Sequence, residues 1–316
     1  MPQHSERPYD VLVVGDLNPD VVLTGLQSPE PRLGTEQFFR SMERTLGGSG
    51  SLAAATMART GLRTLLTARV GDDEPAAFCK AFLEREGVTT NLLVNPALAT
   101  GMTIALAYPN DRLLLTSPGA IADITAEDLP DVLLAKARHI HVSAYFLQSR
   151  LRPGLAGLFR RANRLGLTTS LDTGWDPAEG WLDTDLTAAL AQTDVFLPNS
   201  TELEHITRES DPARAAAIIL GLGAGSVVLK DGARGSHYFG AGLHDHHSGF
   251  PITPVDTTGA GDAFDAGYLC AMLEGRSISD CLRFGNACGA AVAGVSGGAG
   301  GNLTRADFDR IVEKSP

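Results

Sequence analysis

Residues 255–267 of this 316-residue chain read Val-Asp-Thr-Thr-Gly-Ala-Gly-Asp-Ala-Phe-Asp-Ala-Gly. The small residues at 259–261 allow the backbone to turn tightly and to approach a ligand closely. The pattern after them predicts a helix from Gly261 to about Gly275. Such a helix points several unpaired N–H groups back at the turn. The segment is therefore a candidate anion site, suited to the charge that develops on a phosphoryl group in transfer.

Asp262 lies in the first turn of this predicted helix, where the helix dipole favours the ionised carboxylate. A carboxylate beside an anion site can accept a hydroxyl proton as the hydroxyl oxygen attacks phosphorus. We therefore predict that Asp262 is a general base and that the backbone of Gly259, Ala260 and Gly261 forms the anion hole. The alternative is a tight strand-to-helix turn with a capping aspartate, which Gly-Ala-Gly-Asp alone would fit equally well.

Strands and helices alternate along most of the chain. The apolar run Tyr9–Gly15 ends in glycine, as expected for a buried parallel strand. Repeated βα units predict an α/β fold with a doubly wound, mostly parallel sheet. The other predicted elements are strands at Arg63–Val70, His139–Ser143, Thr168–Asp172, Asp194–Leu197 and Ser226–Lys230, and helices at Ser51–Arg59, Glu74–Glu86, Leu151–Leu165, Pro212–Leu222, Ser279–Val295 and from Thr304 onward.

Two stretches interrupt this alternation. Residues 16–46 contain several prolines and glycines, so we expect short strands and loops there. Residues 99–117 contain two β-like runs, Thr103–Tyr108 and Arg112–Thr116, separated by Pro-Asn-Asp, which is a hairpin signal. We interpret both stretches as parts of a small β-sheet lid, inserted into a single domain that spans residues 1–316.

Composition narrows the classes of partner. The formal net charge is -11 with no dense run of Lys or Arg, so neither nucleic acid nor an anionic membrane is expected as a partner. Four cysteines without a CxxC pair argue against a disulfide framework or zinc site and favour thiols in a reducing compartment. The N-terminus has no apolar signal core, and no apolar stretch approaches the roughly 18 residues of a membrane helix. We therefore expect a cytoplasmic protein.

The string Asp-Thr-Thr-Gly-Ala-Gly-Asp-Ala-Phe at 256–264 resembles the C-terminal signature of the PfkB (ribokinase-like) carbohydrate kinase family, and Gly-Gly-Ser-Gly-Ser-Leu-Ala-Ala-Ala-Thr-Met-Ala-Arg-Thr-Gly at 47–61 resembles its N-terminal signature. Together with further matches in the family's order, the resemblance spans roughly residues 10–300. It implies a ribokinase-like fold and ATP-dependent phosphorylation of a sugar hydroxyl with Mg²⁺. The further matches are Gly15–Asp20, Val70–Asp73, Leu171–Asp172, Pro198–Glu202 and Lys230–Gly235.

The resemblance also implies roles for single residues. Asp262 would be the base and residues 259–261 the anion hole, in agreement with the chemistry of the segment itself. Asn18 and Asp20 match an Asn-x-Asp that holds substrate hydroxyls, for which an amide and a carboxylate are suited. The remaining implied roles are substrate approach through the backbone for Gly47 and Gly48, Mg²⁺ and phosphates (usually through water) for Asn199 and Glu202, nucleotide binding for Lys230, Gly232, Gly235 and Asn286, and a monovalent cation such as K⁺ for Asp256 and Thr258.

The chain departs from the family pattern at three places. Leu52 and Asp265 stand where the signatures usually have asparagine, and the segment His141–Tyr145 lacks the acidic residue of ribose-specific members. These departures leave the acceptor open. A neutral polyol such as a ketohexose, a pentose or a 2-keto-3-deoxy sugar acid is the first choice, and a nucleoside is the runner-up. Sugar phosphates are less favoured because the lid offers only scattered arginines: Arg32, Arg40, Arg44 and Arg112.

Two other enzyme motifs are incomplete. Residues 48–53 resemble a dinucleotide fingerprint, but the charged, irregular segment Arg40–Leu46 before them does not read as a buried strand. Residues 294–298 match GxSxG, but a serine hydrolase of that order needs a later histidine, and the last histidine is His247. No GxxxxGK[ST] occurs, which excludes a P-loop enzyme.

Several polar and aromatic residues favour structural interpretations. The run His244–His247 could bind a metal but is more typical of a polar turn between strands. Trp175 and Trp181 are interpreted as loop packing. Asp72 and Asp73 could touch the substrate side, but capping of the helix that begins near Glu74 is favoured. The alternative from another class is a non-catalytic sugar-sensing protein. It would be expected to lose Asp262 or the glycine turn, and both are present here. A homodimer through the lid is a further expectation from similar proteins.

Overall fold

A computed structural model describes residues 7–28, 30–108, 112–295, 297 and 301–313, with the side chain of Arg112 left out. Pro109–Asp111 of the predicted hairpin turn, Ser296 and Gly298 lie outside the described residues. The strands, in chain order, are β1 (Tyr9–Val14), β2 (Asn18–Thr24), β3 (Ser41–Gly47), β4 (Thr64–Val70), β5 (Thr89–Val94), β6 (Met102–Ala107), β7 (Arg112–Ser117), β8 (Ala137–Val142), β9 (Thr168–Leu171), β10 (Val195–Phe196), β11 (Ser226–Lys230), β12 (Ser236–Gly240) and β13 (Leu243–His247).

Helices connect most of these strands. Within the described ranges, none of them combines the length and apolar character needed to cross a bilayer. The helices are α1 (Ser49–Arg59), α2 (Glu74–Arg85), α3 (Asp131–Leu134), α4 (Arg152–Arg164), α5 (Thr184–Leu190), α6 (Ser200–Thr207), α7 (Pro212–Gly221), α8 (Ala260–Leu273), α9 (Ile278–Ala293) and α10 (Arg305–Glu313).

The larger sheet has the strand order β13-β12-β11-β10-β9-β8-β1-β4-β5. From β11 to β5 all neighbours are parallel, and only the β11–β12 and β12–β13 pairs are antiparallel. Alternate residues of β1 enter two separate cores, with Val11 and Val13 in one and Leu12 and Val14 in the other. The first core packs against α1, α2, α8, α9 and α10, and the second against α3 to α7. The prediction of a doubly wound, mostly parallel α/β sheet is confirmed.

A second sheet of four strands has the order β3-β2-β6-β7. Its strands come from the two stretches that interrupt the βα alternation. Asp20 lies opposite Thr45 on β3 and opposite Thr103 on β6, and Thr103 lies opposite Thr116 on β7. Because side chains alternate between faces along a strand, this row of polar residues shares one face of the sheet.

The structure corrects the predicted elements in a few places. The run His244–His247 belongs to strand β13 rather than to a turn, because β12 offers an edge whose backbone groups pair with it from Ser236 to Gly240. Strand β5 and helices α5 and α6 had no clear periodic signal. Asp73 caps α2 as predicted, since its side chain accepts a hydrogen bond from the Ala76 N–H at 3.1 Å.

Candidate active site

The glycine-rich turn stands immediately before helix α8. Gly259 occupies the N-cap position with φ of 73°, a left-handed conformation that L side chains rarely adopt, so glycine is needed here. The 14-residue helix that follows aims its N-terminus at the turn. A Cβ placed on Gly261 would lie 3.7 Å from the amine of Lys230. The turn therefore combines a helix N-terminus with a buried cation beneath it, which suits an anionic ligand.

Asp262 follows this turn and is half-buried. Burial raises its pKa well above the ordinary value, and Asp172 and Asp16 add to this effect. Lys230 and a hydrogen bond from the Ser49 side chain act in the opposite direction. The helix dipole alone suggested an ionised carboxylate, but desolvation and neighbouring carboxylates outweigh it. A base with a raised pKa is a better proton acceptor once it is ionised.

Lys230 is the charge centre of the site. Its amine donates to Asp172 Oδ2 at 2.5 Å and to Asp265 Oδ2 at 3.1 Å, and its side chain is 10% exposed. Burial disfavours the charged amine, but Asp172, Asp265 and Glu202 raise the pKa of Lys230. Lys230 in turn lowers the pKa of Asp172 to about 2, against the desolvation of that carboxylate. The ion pairs join the ends of β9 and β11 to helix α8.

The candidate acceptor residues lie where the small sheet meets α1. The Asn18 amide donates to Asp20 Oδ1 at 2.9 Å and to Thr103 Oγ1 at 3.4 Å. A Cβ on Gly47 would lie 1.9 Å from Asp20 Oδ1, so only glycine lets the Asp20 carboxylate occupy this place. Gly48 is the N-cap of α1, with φ of 87°. The structure thus brings together the four residues predicted to bind the acceptor. The side chains of Asn18 and Asp20 lie next to the backbone of Gly47 and Gly48.

Leu52 does not belong to this group. It is 4% exposed and packs in the apolar core that α1 shares with α8 and α9. The polar side chain that is usual at this position is therefore replaced by an apolar one that packs in the core.

Asn199 and Glu202 form a capping box at the start of α6. Glu202 N–H donates to Asn199 Oδ1 at 2.8 Å, and Asn199 donates to Glu202 from its backbone at 2.9 Å and its amide at 2.7 Å. Burial and the nearby Asp172 raise the pKa of Glu202 to about 7, while Lys230 and the Asn199 hydrogen bonds oppose the shift.

The donor chemistry of the cleft fits a divalent cation. Its buried carboxyl groups outnumber the single buried amine of Lys230, and carboxylate oxygens are ligands that Mg²⁺ prefers. Because the oxygens of Glu202 already accept from Asn199, an ion would meet them through water. Among the residues that the structure describes, no three His, Cys, Asp or Glu side chains are arranged to enclose a metal ion on their own. The carboxyl groups concerned are those of Asp16, Asp172, Glu202 and Asp265, which are buried, and that of the half-buried Asp262.

Two of the predicted nucleotide residues, Gly235 and Asn286, lie against the end of β13 and the residues that follow it. A Cβ on Gly235 would lie 2.0 Å from the His247 carbonyl oxygen. The Asn286 amide donates to the same carbonyl at 3.0 Å and to that of Ser248 at 3.3 Å. Gly232 lies three residues before Gly235 in the same short helical turn. Gly235 and Asn286, far apart in sequence, therefore contact the same short segment.

Asp256 and Thr258 lie in the loop before α8. Asp256 Oδ1 accepts a hydrogen bond from the Thr258 N–H at 2.9 Å, and its Oδ2 accepts from Gly297 N–H at 3.3 Å. The Val255 and Asp256 N–H groups donate to the Ala293 carbonyl. The loop is thereby tied to the segment after α9.

Sequence reasoning left three buried carboxylates of the site without a role. Asp16 and Asp172 stood inside recognised motifs, and Asp265 was noted only as a departure from the usual asparagine. Asp16 Oδ1 accepts from the Gly50 N–H at 2.8 Å, at the N-terminus of α1. Their motif positions were the available signal, but nothing local indicated that they surround Lys230 and Asp262.

The two tryptophans differ in exposure. Trp181 is buried and stacks on His205 with ring centroids 4.5 Å apart, as expected for loop packing. Trp175 is 53% exposed and meets the rings of Trp181 and His205 edge-on.

The chain is similar to known carbohydrate kinases over most of its length. The family model described as pfkB family carbohydrate kinase matches residues 9–305. An ATP-dependent ribose-1-phosphate kinase of Halopiger xanaduensis is 29% identical over 289 residues, which are 91% of this chain and 93% of that protein. A sugar kinase of Archaeoglobus fulgidus, itself uncharacterized, is 32% identical over 232 residues, 73% of this chain and 91% of that protein. The structure of an E. coli protein assigned as ribokinase II, in complex with ATP and Mg²⁺, matches with a TM-score of 0.85 at 21% identity, covering 97% of this chain and 100% of that chain.

Proposed function

The chain belongs to the pfkB family of carbohydrate kinases, and from this premise we propose how its residues carry out ATP-dependent phosphorylation of a sugar hydroxyl. One observation carries the proposal: Asp262 lies in the first turn of α8, directly after a glycine turn that has the Lys230 amine beneath it. A proton acceptor and an anion site are then adjacent, as in-line phosphoryl transfer requires.

In this mechanism Asp262 accepts the proton of the acceptor hydroxyl while the hydroxyl oxygen forms a bond to the terminal phosphorus of ATP. The bond from that phosphorus to the bridging oxygen breaks, and ADP leaves with its electron pair. The backbone of residues 259–261 holds the transferred group, and Lys230 supports the developing negative charge from below. Mg²⁺, when bound with the nucleotide through water to Asn199 and Glu202, would supply further charge neutralisation. Gly232, Gly235 and Asn286 would line the nucleotide, while Asp256 and Thr258 are proposed for K⁺, since the loop they form abuts α8.

The acceptor is proposed to be a neutral sugar or sugar acid held by Asn18 and Asp20, with Gly47 and Gly48 approaching it through their backbone. The amide and carboxylate are buried and preorganised by their mutual hydrogen bond, which suits a vicinal diol. Nucleosides, through the same diol contacts, are the second candidate. Arg44, one of the lid arginines that could hold a sugar phosphate, is instead paired with Glu74.

The test is an ADP-release assay with Mg·ATP against sugars, sugar acids, sugar phosphates and nucleosides, with and without K⁺. A neutral sugar that gives turnover supports the proposal, and turnover only with nucleosides or sugar phosphates would replace the acceptor class. Binding of Mg·ATP without turnover of any acceptor would favour a sugar-binding protein on a kinase fold. We propose a cytoplasmic location, consistent with its use of ATP and with four buried cysteines that form no disulfide.

Glu202→Gln is expected to raise the Mg²⁺ concentration for half-maximal rate by about tenfold or more, because one carboxylate charge beside the ion is lost. Glutamine can still complete the capping box with Asn199, so α6 should remain folded. Glu204→Gln on the exposed side of the same helix is the matched control. Equal Mg²⁺ dependence in both variants, measured by initial rates, would contradict the role of Glu202.

We further propose that the protein forms a homodimer through the face of the small sheet opposite to Asp20. Val21, Ile104 and Leu115 form one row on this face together with Arg44 at the β3 end, and the next row is entirely apolar. Several of these side chains are exposed, with Met42 at 65% and Leu115 at 52%. Such a contiguous apolar face on a soluble enzyme is typical of a protein interface. The second row comprises Met42, Leu23, Leu106 and Leu113.

Leu115→Glu is expected to shift the protein from dimer to monomer in sedimentation velocity, because an unpaired carboxylate would be buried in the interface. Val132→Glu changes an apolar residue of the α/β body that is 71% exposed, more than Leu115, and should leave the dimer intact. A monomeric native protein, or a dimer that tolerates Leu115→Glu, would refute this interface.

A further inference from the structure

One connection between the small sheet and the α/β body passes the N-terminus of helix α2. Strand β2, which carries Asn18 and Asp20, lies between β3 and β6 in the small sheet. Strand β6 begins at Met102, and the segment that precedes it runs through Thr100 next to the first residues of α2. The path of this segment therefore determines where β6 starts, and β6 is one of the two strands that position β2.

Asp73 ties this segment to α2. Its Oδ2 accepts a hydrogen bond from the Thr100 N–H at 2.8 Å, and its Oδ1 accepts one from the Thr100 hydroxyl at 2.6 Å. The same Oδ1 accepts from the Ala76 N–H, which is the bond that caps α2. The Thr100 hydroxyl accepts in turn from the Gly71 N–H at 2.9 Å. A helix cap requires only the bond to Ala76, so the bonds of Thr100 fix the segment before β6.

The backbone at both ends of the β6–β7 hairpin is closely packed at this point. Gly101 follows Thr100, and a Cβ on it would lie 2.9 Å from the Pro118 carbonyl oxygen just after β7. The Ala120 N–H donates to the Ala99 carbonyl at 2.8 Å. The two ends of the hairpin therefore leave the small sheet side by side, and the hydrogen bonds of Thr100 anchor both of them to α2.

The position of β6 affects the residues that are proposed to hold the acceptor. Thr103 on β6 lies opposite Asp20 and is 7% exposed. Its Oγ1 is 3.0 Å from Thr116 Oγ1 and accepts from the Asn18 amide at 3.4 Å. This last distance is near the limit for a hydrogen bond, so even a small outward shift of β6 would break it. The orientation of the Asn18 amide therefore depends on how firmly Thr100 is held.

We propose that Asp73 and Thr100 are positioning residues of the acceptor site. Their hydrogen bonds hold β6, and β6 in turn holds the Asn18 amide and the Asp20 carboxylate in the orientation that binds a diol. Helix α2 connects β4 to β5 at one end of the large sheet, whereas the proposed nucleotide residues lie near β11 and β13 towards the other end. Loss of these hydrogen bonds should therefore weaken the binding of the acceptor and leave that of Mg·ATP unchanged. The effect on the acceptor rests on the proposed function of Asn18 and Asp20.

Three variants of the whole protein separate this role from simple stabilisation. Thr100→Val keeps the shape of the side chain without its hydroxyl, and Thr100→Ser restores the hydroxyl. Thr169→Val is the matched control. Thr169 is buried and donates to Asp194 Oδ2 from both its N–H and its hydroxyl, so its contacts repeat those of Thr100. The Thr169 hydroxyl also accepts from the Asp194 N–H at 3.0 Å, but β9, which carries it, is not part of the small sheet.

Asp73→Asn is a further variant, for the case that Thr100→Val does not fold. Asparagine caps helices as well as aspartate does, so α2 should remain intact. Its amide offers one acceptor oxygen where the carboxylate has two. It therefore cannot accept from the N–H groups of both Ala76 and Thr100, which bond to different oxygens of Asp73.

Hydrogen exchange of the unliganded protein tests the attachment of β6 itself. Peptides that cover β2 and β6 should exchange about tenfold faster in Thr100→Val than in the wild type, because the buried Gly71 N–H loses its acceptor and the strand is released. Thr100→Ser should exchange at nearly the wild-type rate. If these peptides exchange no faster in Thr100→Val than in Thr169→Val, the proposal is wrong.

Initial rates test the consequence for the acceptor. With the sugar that gives the highest rate in the ADP-release assay, Thr100→Val should raise KM about tenfold while kcat falls less, because the acceptor residues are misplaced. The calorimetric affinity for Mg·ATP should not change, and Thr169→Val should alter neither quantity. Faster exchange of β6 with an unchanged acceptor KM would overturn the positioning role and leave Asp73 as a helix cap alone. No turnover of any acceptor by the wild type would remove the proposed function, and the exchange rates would still decide whether Asp73 and Thr100 hold β6.

Discussion

Asp262→Asn is expected to lower kcat between about 10²-fold and about 10⁴-fold, because the acceptor hydroxyl then loses its proton acceptor at the moment of attack. Mg·ATP affinity should change little, since the backbone turn and Lys230 remain in place. Burial, Asp172 and Asp16 raise the pKa of Asp262, so activity in the wild type should fall on the acid side as this carboxylate takes up a proton.

The matched control is Asp280→Asn. Asp280 occupies the first turn of α9, as Asp262 does in α8, but it is exposed and hydrogen-bonded to Ser277. Both variants lose a favourable interaction with a helix dipole. Turnover should fall only in Asp262→Asn, measured by ADP release with saturating acceptor and by calorimetric titration of Mg·ATP. Near-normal turnover of Asp262→Asn would remove Asp262 from the role of base.

Lys230→Met is expected to destabilise the protein by about 3–5 kcal/mol, because it leaves Asp172 buried without its counter-charge while Asp265 loses its one donor. The loss should be largest at neutral pH. The pKa of Asp172 is lowered to about 2, so its ion pair adds stability above its ordinary value of 3.8 and loses it as the pH falls towards 2. The measurement is urea unfolding at several pH values.

Arg44→Met provides the comparison for an exposed ion pair. Arg44 and Glu74 lie at the surface, with side chains 41% and 65% exposed, so removal of this pair should have little effect on unfolding. A Lys230→Met protein as stable as Arg44→Met would mean that protons already compensate the buried carboxylates. That result would mean that Lys230 serves to bind the nucleotide and that its ion pairs with Asp172 and Asp265 are not needed for stability.

Much of the fold followed from local patterns. Strand β1 is read from an uninterrupted apolar run, since a parallel strand buried on both faces needs no polar alternation. The glycine turn and α8 are read from small residues and a first-turn acid. The residues of strand β13 were interpreted as a turn, because a His-rich edge strand has neither apolar alternation nor β-branched residues. Its pairing is decided by the β12 edge beside it.

The residues of the candidate site were found by motif, and their roles remain predictions. Asn18 with Asp20, and Asn199 with Glu202, are neighbours in sequence, so their contacts follow from local geometry. The replacement of the usual asparagine by Leu52 was one reason for leaving the acceptor open, but the Leu52 side chain packs in the core.

By itself the sequence determined the α/β class, the small inserted sheet and the family, because each depends on hydrophobic period or on a short motif. Only the tertiary structure decided the electrostatics. Lys230 meets Asp172 and Asp265 across 58 and 35 residues of sequence, and these contacts exist because β9, β10 and β11 are adjacent and α8 crosses their ends. Strand order and register set which charges share a buried space, and no local pattern encodes them.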